Sequence, residues 1–236
     1  MRIERLIGRP VLIEFWDFCR PNSMRTLPYV KAWHERYGSL QRGLAVIGIH
    51  SPGFDPSRDP RNVAAAVTRL EIEYPVLLDS ELQTWRVYEN LGWPARYLFD
   101  QAGRLAHYHY GEGAYEETEL EIQALLARGG NSVALPEPLQ PLRPEEKPGA
   151  RLIPQTEDEE GLYEGPYEGG GVWVVLDGCG TLDVRDSASS TSSRLEISHP
   201  GAYPVVEHSR HTSSLLQMSC SDGLICLATC FTPGLA

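Results

Sequence analysis

Along the first 130 positions, apolar residues alternate between two periods. Val11-Leu12-Ile13-Glu14-Phe15-Trp16 is a short β-rich run. Over residues 23–37 the apolar positions Leu27, Val30, Trp33 and Tyr37 recur three or four apart, which predicts a helix. Residues 44–50 are almost continuously apolar, as a parallel strand covered on both faces should be. Residues 59–70 read as a second helix, with Asp59 as N-cap, Pro60 in the first turn and an alanine-rich interior. A strand at 74–79 and a short helix through Leu82, Trp85 and Tyr88 follow. Strands at 95–100 and 104–110 join through the turn Gln101-Ala102-Gly103, and an acidic amphipathic helix occupies 115–126. Strands separated by helices need crossovers, so the expected fold is α/β, a central sheet flanked by helices.

The pattern changes near residue 130. Residues 131–170 hold Pro136, Pro138, Pro141, Pro144, Pro148 and Pro154, then the acids of 157–160 and the run Gly169-Gly170-Gly171. This stretch reads as an extended linker between domains at 1–130 and 171–236. From Val172 onward the signals are β only. Short strands are expected at 171–176, 180–184, 194–197, 202–207, 214–218 and 224–231, a small all-β sandwich or barrel.

Charge sharpens the division. The chain of 236 residues carries a net charge of −11. Residues 1–130 hold 15 basic and 17 acidic side chains, against 6 and 15 in residues 131–236. Such a balance excludes a general nucleic-acid coat, which needs a basic face. No window is apolar for the roughly 18 residues a membrane span requires, and no secretory leader is visible in Met1-Arg2-Ile3-Glu4-Arg5, so a cytoplasmic protein is expected. The five cysteines Cys19, Cys179, Cys220, Cys226 and Cys230 are odd in number and read as reduced thiols. No CxxC or HxxxH is present, and His107 and His109 share a strand face without a third ligand, so neither metal nor cofactor is expected. His199, His208 and His211 fall in a polar stretch and read as solvated, whereas Cys220, Cys226 and Cys230 read as filling of a small core.

Phe15-Trp16-Asp17-Phe18-Cys19-Arg20-Pro21-Asn22-Ser23 sits where the first strand meets the first long helix. A helix N-terminus supplies unpaired N–H groups and a positive dipole end, which lower the pKa of a thiol placed there. The run 11–16, the helix residues Arg25-Thr26-Leu27-Pro28 and the segment Gly92-Trp93-Pro94-Ala95-Arg96-Tyr97-Leu98 resemble the thioredoxin-like redoxins of the AhpC/TSA and TlpA-like group. Further likeness lies in Ala32-Trp33-His34-Glu35-Arg36-Tyr37, Val46-Ile47-Gly48-Ile49-His50 and His109-Tyr110-Gly111-Glu112-Gly113-Ala114-Tyr115. The match spans residues 8–128. It is nearest to the bacterial branch in which a thioredoxin-like domain precedes a small β domain.

The resemblance implies a CxxC pair opening the first helix, but Arg20 and Ser23 stand at the two cysteine positions, with Cys19 one residue upstream. It implies that Pro94 is the cis-proline that receives extended substrate backbone, and that Glu14 is the buried acid that assists proton transfer. Pro28 falls at the family's helix-kinking proline. Leu12 and Trp16 stand where the peroxiredoxin signature PxxxTxxC needs Pro and Thr. Two functions remain open, besides a structural role in which the β domain mediates self-association. One is a thiol-dependent oxidoreductase or peroxidase that relies on Cys19, assisted by Arg20 and Glu14, with small thiols or protein disulfides as partners. The other is a redox-inactive binding module that uses Arg20, Asn22, Ser23, Trp93 and Pro94. Cys19 itself has a chemical reading as nucleophile and a packing reading as a small buried residue.

Overall fold

The computed structural model describes residues 6–129, 134–189 and 191–236. The leading Met1–Arg5 segment and residues 130–133, where the linker is expected to begin, lie outside them. Contacts divide the chain into two compact units. The first comprises residues up to Asp17 with Asn22–Gly53 and Val67–Pro141; the second comprises Phe18–Pro21, Phe54–Ala66 and Leu142–Ala236.

In the first unit, β1 (Val11–Trp16), β2 (Ala45–His50), β3 (Val76–Leu78), β4 (Ala95–Phe99) and β5 (Leu105–Tyr110) form one mixed sheet in the order β3-β2-β1-β4-β5. β1, β2 and β3 run parallel because helical segments α1 (Pro21–Tyr37) and α2 (Pro60–Arg69) lie between them in the chain. β4 and β5 close the sheet antiparallel through the turn at 101–103. α3 (Gln83–Val87) precedes β4, and α4 (Tyr115–Arg128) follows β5. Asp59 caps α2, its Oδ1 accepting the Arg61 N–H at 2.9 Å. The first helix begins at Pro21, two residues before the periodicity starts, because neither Pro21 nor Asn22 carries the apolar signal. Among the described residues no helix is long and apolar enough to cross a membrane.

β1 is the central strand, and its register explains two sequence oddities. Glu14 faces Gly48 on β2 and Arg96 on β4. A Cβ at Gly48 would lie 2.9 Å from Trp16 Nε1 and 3.1 Å from Tyr74 Cε2, so bare backbone there leaves room for both rings. α1 and α4 pack through aromatic and polar groups. Tyr29 stacks on Tyr115 with ring centroids 3.7 Å apart, and Thr26 Oγ1 lies 3.0 Å from Tyr115 Oη. Glu119 on α4 is 1 % exposed and accepts from Trp33 Nε1 at 3.1 Å, Arg36 Nη1 at 2.5 Å, Tyr37 Oη at 2.6 Å and the Leu139 N–H at 2.8 Å. The Tyr37 hydroxyl is pushed up to about 12, first by burial and then by that carboxylate.

The second unit holds β6 (Leu152–Ile153), β7 (Glu159–Glu160), β8 (Gly165–Gly178), β9 (Gly180–Asp186), β10 (Thr191–Ile197), β11 (Gly201–Cys220), β12 (Leu224–Thr232) and β13 (Gly234–Leu235). Six of them form an antiparallel sheet in the order β10-β9-β11-β8-β12-β7, and β13 pairs with β6 as a ribbon. Alternate residues Val172, Val174 and Leu176 of β8 meet Leu182, Val184, Leu216, Met218 and Phe231 in one core.

Three expectations are corrected here. The proline-rich stretch contains β6, β7 and the first residues of β8, because its short strands pair with segments far along the chain, a signal no local window carries. The strands expected at 202–207 and 214–218 are one strand, β11. Glu207 pairs with Gly171 and Thr212 with Gly169, so residues 208–211 stand against the single Gly170 and bulge from the ladder. The third concerns the histidines of that bulge. His208 Nε2 lies 2.8 Å from Tyr167 Oη, and their rings stack. His211 Nε2 lies 3.7 Å from Glu168 Oε2 with only 14 % of its side chain exposed. Polar neighbours in sequence concealed partners across the sheet.

Replacing Glu119 with alanine strands several buried donors at once. Urea unfolding of Glu119→Ala is expected to show a loss of about 3 kcal/mol, with Glu119→Gln losing less because an amide oxygen still accepts. A loss under about 0.5 kcal/mol, the level of an ordinary surface change, would show that the carboxylate does not hold the two helices.

Candidate active site

The carboxyl ends of the first unit's parallel strands carry polar residues that are almost fully buried. Asp17 follows β1, His50 ends β2, Ser51 comes next, and Asp79 follows β3. Ligands of open α/β sheets bind at this edge. The Asp17 N–H donates to Ser23 Oγ at 3.2 Å, and Asp17 Oδ2 accepts the Gly53 N–H at 2.7 Å. Asp17 Oδ1 is 3.5 Å from His50 Nε2. Ser51 Oγ donates to Asp79 Oδ2 at 3.0 Å, while the Ser51 carbonyl accepts from Trp93 Nε1 at 2.8 Å. Asp79 in turn accepts the Thr84 and Trp85 N–H groups at 2.8 and 2.9 Å, anchoring the start of α3. Trp93 packs on Trp85 with centroids 4.3 Å apart. The Trp93–Pro94 peptide bond is cis, and the Pro94 carbonyl accepts the Gly111 N–H at 2.7 Å.

Among the residues singled out from sequence, Ser23 and Trp93 are thus joined through the 51–53 segment. Asn22 is exposed, Ser23 and Pro94 are buried, and Trp93 is half-buried. Cys19 and Arg20 belong to the second unit. There the Ala202 N–H donates to the Phe18 carbonyl at 2.9 Å, and the Arg20 guanidinium lies 4.6 Å from the centre of the Phe54 ring. Cys19 is fully buried at 0 % exposure.

Glu14 is fully buried in mid-sheet. Burial raises its pKa to about 8, opposed by the charge of Arg96 and by the Tyr74 hydroxyl, which donates to Oε2 at 3.3 Å. Its Oε1 has no hydrogen-bond partner among the described residues. The Tyr74 hydroxyl is itself held well above its ordinary value by burial and by Glu14, so it acts as a donor throughout the physiological range. Arg96 is 1 % exposed; its Nη2 donates to the Gly113 carbonyl at 2.5 Å and its guanidinium lies 4.9 Å from the Tyr115 ring centre. No cluster of three or more His, Cys, Asp or Glu suited to a metal occurs among the described residues. His109 instead meets the Glu112 carbonyl at 2.9 Å, and burial lowers its pKa.

Comparison with known proteins places this geometry. The thiol-disulfide oxidoreductase YkuV of Bacillus subtilis is 30 % identical over 125 residues, which are 52 % of this chain and 82 % of YkuV. The chain belongs to the thioredoxin-like disulfide oxidoreductase family. Protein DipZ of Mycobacterium bovis is 37 % identical over 193 residues, 82 % of this chain, although the chain spans only 27 % of DipZ. Solved structures that resemble it include a thioredoxin-like protein in its oxidised form, with a TM-score of 0.49 and 28 % identity over 54 % of this chain and 85 % of that one. A thiol-disulfide isomerase from Corynebacterium glutamicum gives a TM-score of 0.49 at 23 % identity over 54 % and 86 % of the two chains. No family model matches.

Within this thioredoxin-like frame, sequence reasoning missed Asp17, His50, Ser51 and Asp79. The available signal was positional, since each polar residue ends or directly follows an apolar strand. Tyr74 and Arg96 were missed as partners of Glu14 because their relation to it is a matter of strand register.

The raised pKa of Glu14 makes stability depend on pH. Below pH ~4.5 the carboxyl is protonated in both folded and unfolded chains, and there is no penalty. As pH rises, the unfolded chain ionises first while the folded one keeps its proton to about 8, so stability falls across that window and levels off above it. Denaturant titrations from pH 5 to 9 should show Glu14→Gln losing this decline and gaining up to about 4 kcal/mol over the parent at pH 9. Parallel curves for parent and variant would mean that Glu14 is ionised in the folded protein.

Proposed function

We propose that the chain is a one-cysteine thiol oxidoreductase of the thioredoxin-like family, with Cys19 as its reacting sulfur. The observation that carries this reading is the similarity to YkuV over most of that protein's length. It is supported by the position of Cys19 in the turn between β1 and α1. In this reading the Cys19 thiolate attacks one sulfur of a small-molecule or protein disulfide, forms a mixed disulfide and expels the other sulfur as a thiolate. The expelled thiolate takes its proton from solvent. With serine at position 23 no second turn cysteine resolves the mixed disulfide, so an external thiol attacks it, releases the bound partner and regenerates Cys19. A peroxide would be reduced by the same sulfur through a sulfenic acid, again cleared by external thiol. Of the residues singled out, Asn22, which is exposed, and Trp93, which is half-buried, are the ones a partner can reach. Five free thiols, an odd number, support the reducing environment of a cytoplasm as its place of work.

The burial of Cys19 favours a second reading, in which Arg20 and Ser23 have turned the same surface into a binding module without turnover. Alkylation rate against pH separates the two. The redox reading expects folded protein to lose one reactive thiol with an apparent pKa below the free value of about 8.5, and Cys19→Ser to lower disulfide reduction about tenfold or more. The double variant Arg20→Cys with Ser23→Cys should gain internal resolution, so that turnover no longer scales with external thiol. A Cys19 that alkylates only after unfolding, with unchanged activity in Cys19→Ser, would leave the binding module standing.

A further inference from the structure

Two cysteines of the second unit converge at the turn between β11 and β12, independently of anything Cys19 does. On β11, Leu216 and Met218 are buried while Gln217 and Ser219 are exposed, so the alternation turns Cys220 inward. On β12, Leu224 is buried and Ile225 is 60 % exposed, so Cys226 also turns inward. Both pack against the same core, with Leu182, Met218 and Leu224 among its members. The turn between them is tight. The Leu224 N–H donates to the Ser221 carbonyl at 3.2 Å, the Ser221 N–H donates to the Thr181 carbonyl at 2.9 Å, and Gly223 has a φ of +86°. The Cys226 backbone meets the Cys220 sulfur, and the charge of Cys220 acts on the Cys226 thiol. Cys226 Sγ also reaches the Gly161 and Ala228 carbonyls, both at 3.4 Å. Cys230 is excluded as the partner of Cys226, because four residues along a strand span about 13 Å and a disulfide bridges Cα atoms at most about 7 Å apart.

We propose that Cys220 and Cys226 are a resident dithiol that closes to an intramolecular disulfide across the β11–β12 turn. The oxidant is an external disulfide. One thiol loses its proton and attacks that disulfide, one external thiol leaves, and the second cysteine displaces the other from the mixed disulfide. The protein loses two hydrogens and two electrons, and the external disulfide gains them as two thiols. Both side chains are only partly buried, so the attacking disulfide reaches them at the turn. Burial raises both thiols, Cys226 to about 11, so closure is slow at neutral pH and accelerates as the solution becomes more alkaline.

The test is incubation of the full chain with glutathione disulfide between pH 7 and 9, followed by alkylation and peptide mapping. The expected product is a peptide pair linked Cys220 to Cys226 with loss of two hydrogens, formed about tenfold faster per pH unit and reversed by dithiothreitol. It forms equally in Cys230→Ser, is absent from Cys220→Ser and Cys226→Ser, and raises the melting temperature of the oxidised wild type. The mapping on unaltered protein stands even where a serine variant folds poorly. Linkage through Cys179 or Cys230, glutathione adducts without closure, or no oxidation while the chain is folded would each overturn the proposal.

Discussion

A helix that carries a functional turn at its N-terminus is only as well placed as the contacts along its length. α1 has few resources of its own: Pro28 interrupts its interior hydrogen bonds, and no acidic side chain meets the dipole in its first turn. Its position is set instead by tertiary groups, chiefly the Glu119 carboxylate, which gathers donors from three α1 residues and from the chain beyond α4. A carboxylate this deep is stable only because its lone pairs are occupied, which fixes the register of α1 against α4 more sharply than apolar packing would. The Arg25–Glu112 pair at 2.8 Å extends the restraint toward the N-terminal end of the helix. Ser23, two residues before Arg25, inherits that placement and meets the Asp17 N–H.

The side chains at positions 20 and 23 have structural uses of their own. Serine at position 23 keeps an acceptor for a buried backbone donor, a role a thiol fills weakly. Arginine at position 20 places a delocalised cation against the Phe54 ring. Both replacements are thus used by their surroundings as polar groups. The turn is held by these polar groups rather than by a pair of sulfurs.

How far the fold could be read from the chain follows from the range of each signal. β1, β2 and α2 declare themselves within a single window, through an apolar run or through Asp59 and Pro60 at a helix start. Their order and connecting lengths then leave little freedom of topology. β6 and β7 carry no such signal, since two-residue strands exist only by virtue of distant partners. β11 reads as two strands because the bulge at 208–211 places consecutive polar residues where alternation would continue. Glu119 illustrates the deepest limit. On an acidic helix it looks like its solvated neighbours Glu116 and Glu117, and only the meeting of two helices distinguishes it.

The candidate site is legible to the same degree and for the same reason. Cys19, Ser23 and Pro94 stand out because a strand-to-helix junction and a Trp-Pro step are local features. The partners that give Glu14 its character are not local. Tyr74 reaches it only because Gly48 has no side chain, and Arg96 stands beside it only through the β1–β4 register. Two forces then oppose each other at one carboxyl. Arg96 and Tyr74 favour the charged form, burial without a partner for Oε1 favours the neutral one, and burial wins. Arg96 loses that contest because its own charge is partly committed, to the Gly113 carbonyl and to the faces of Trp33 and Tyr115. A proton held on Glu14 at neutral pH is therefore a property of four residues on separate segments, Glu14, Gly48, Tyr74 and Arg96.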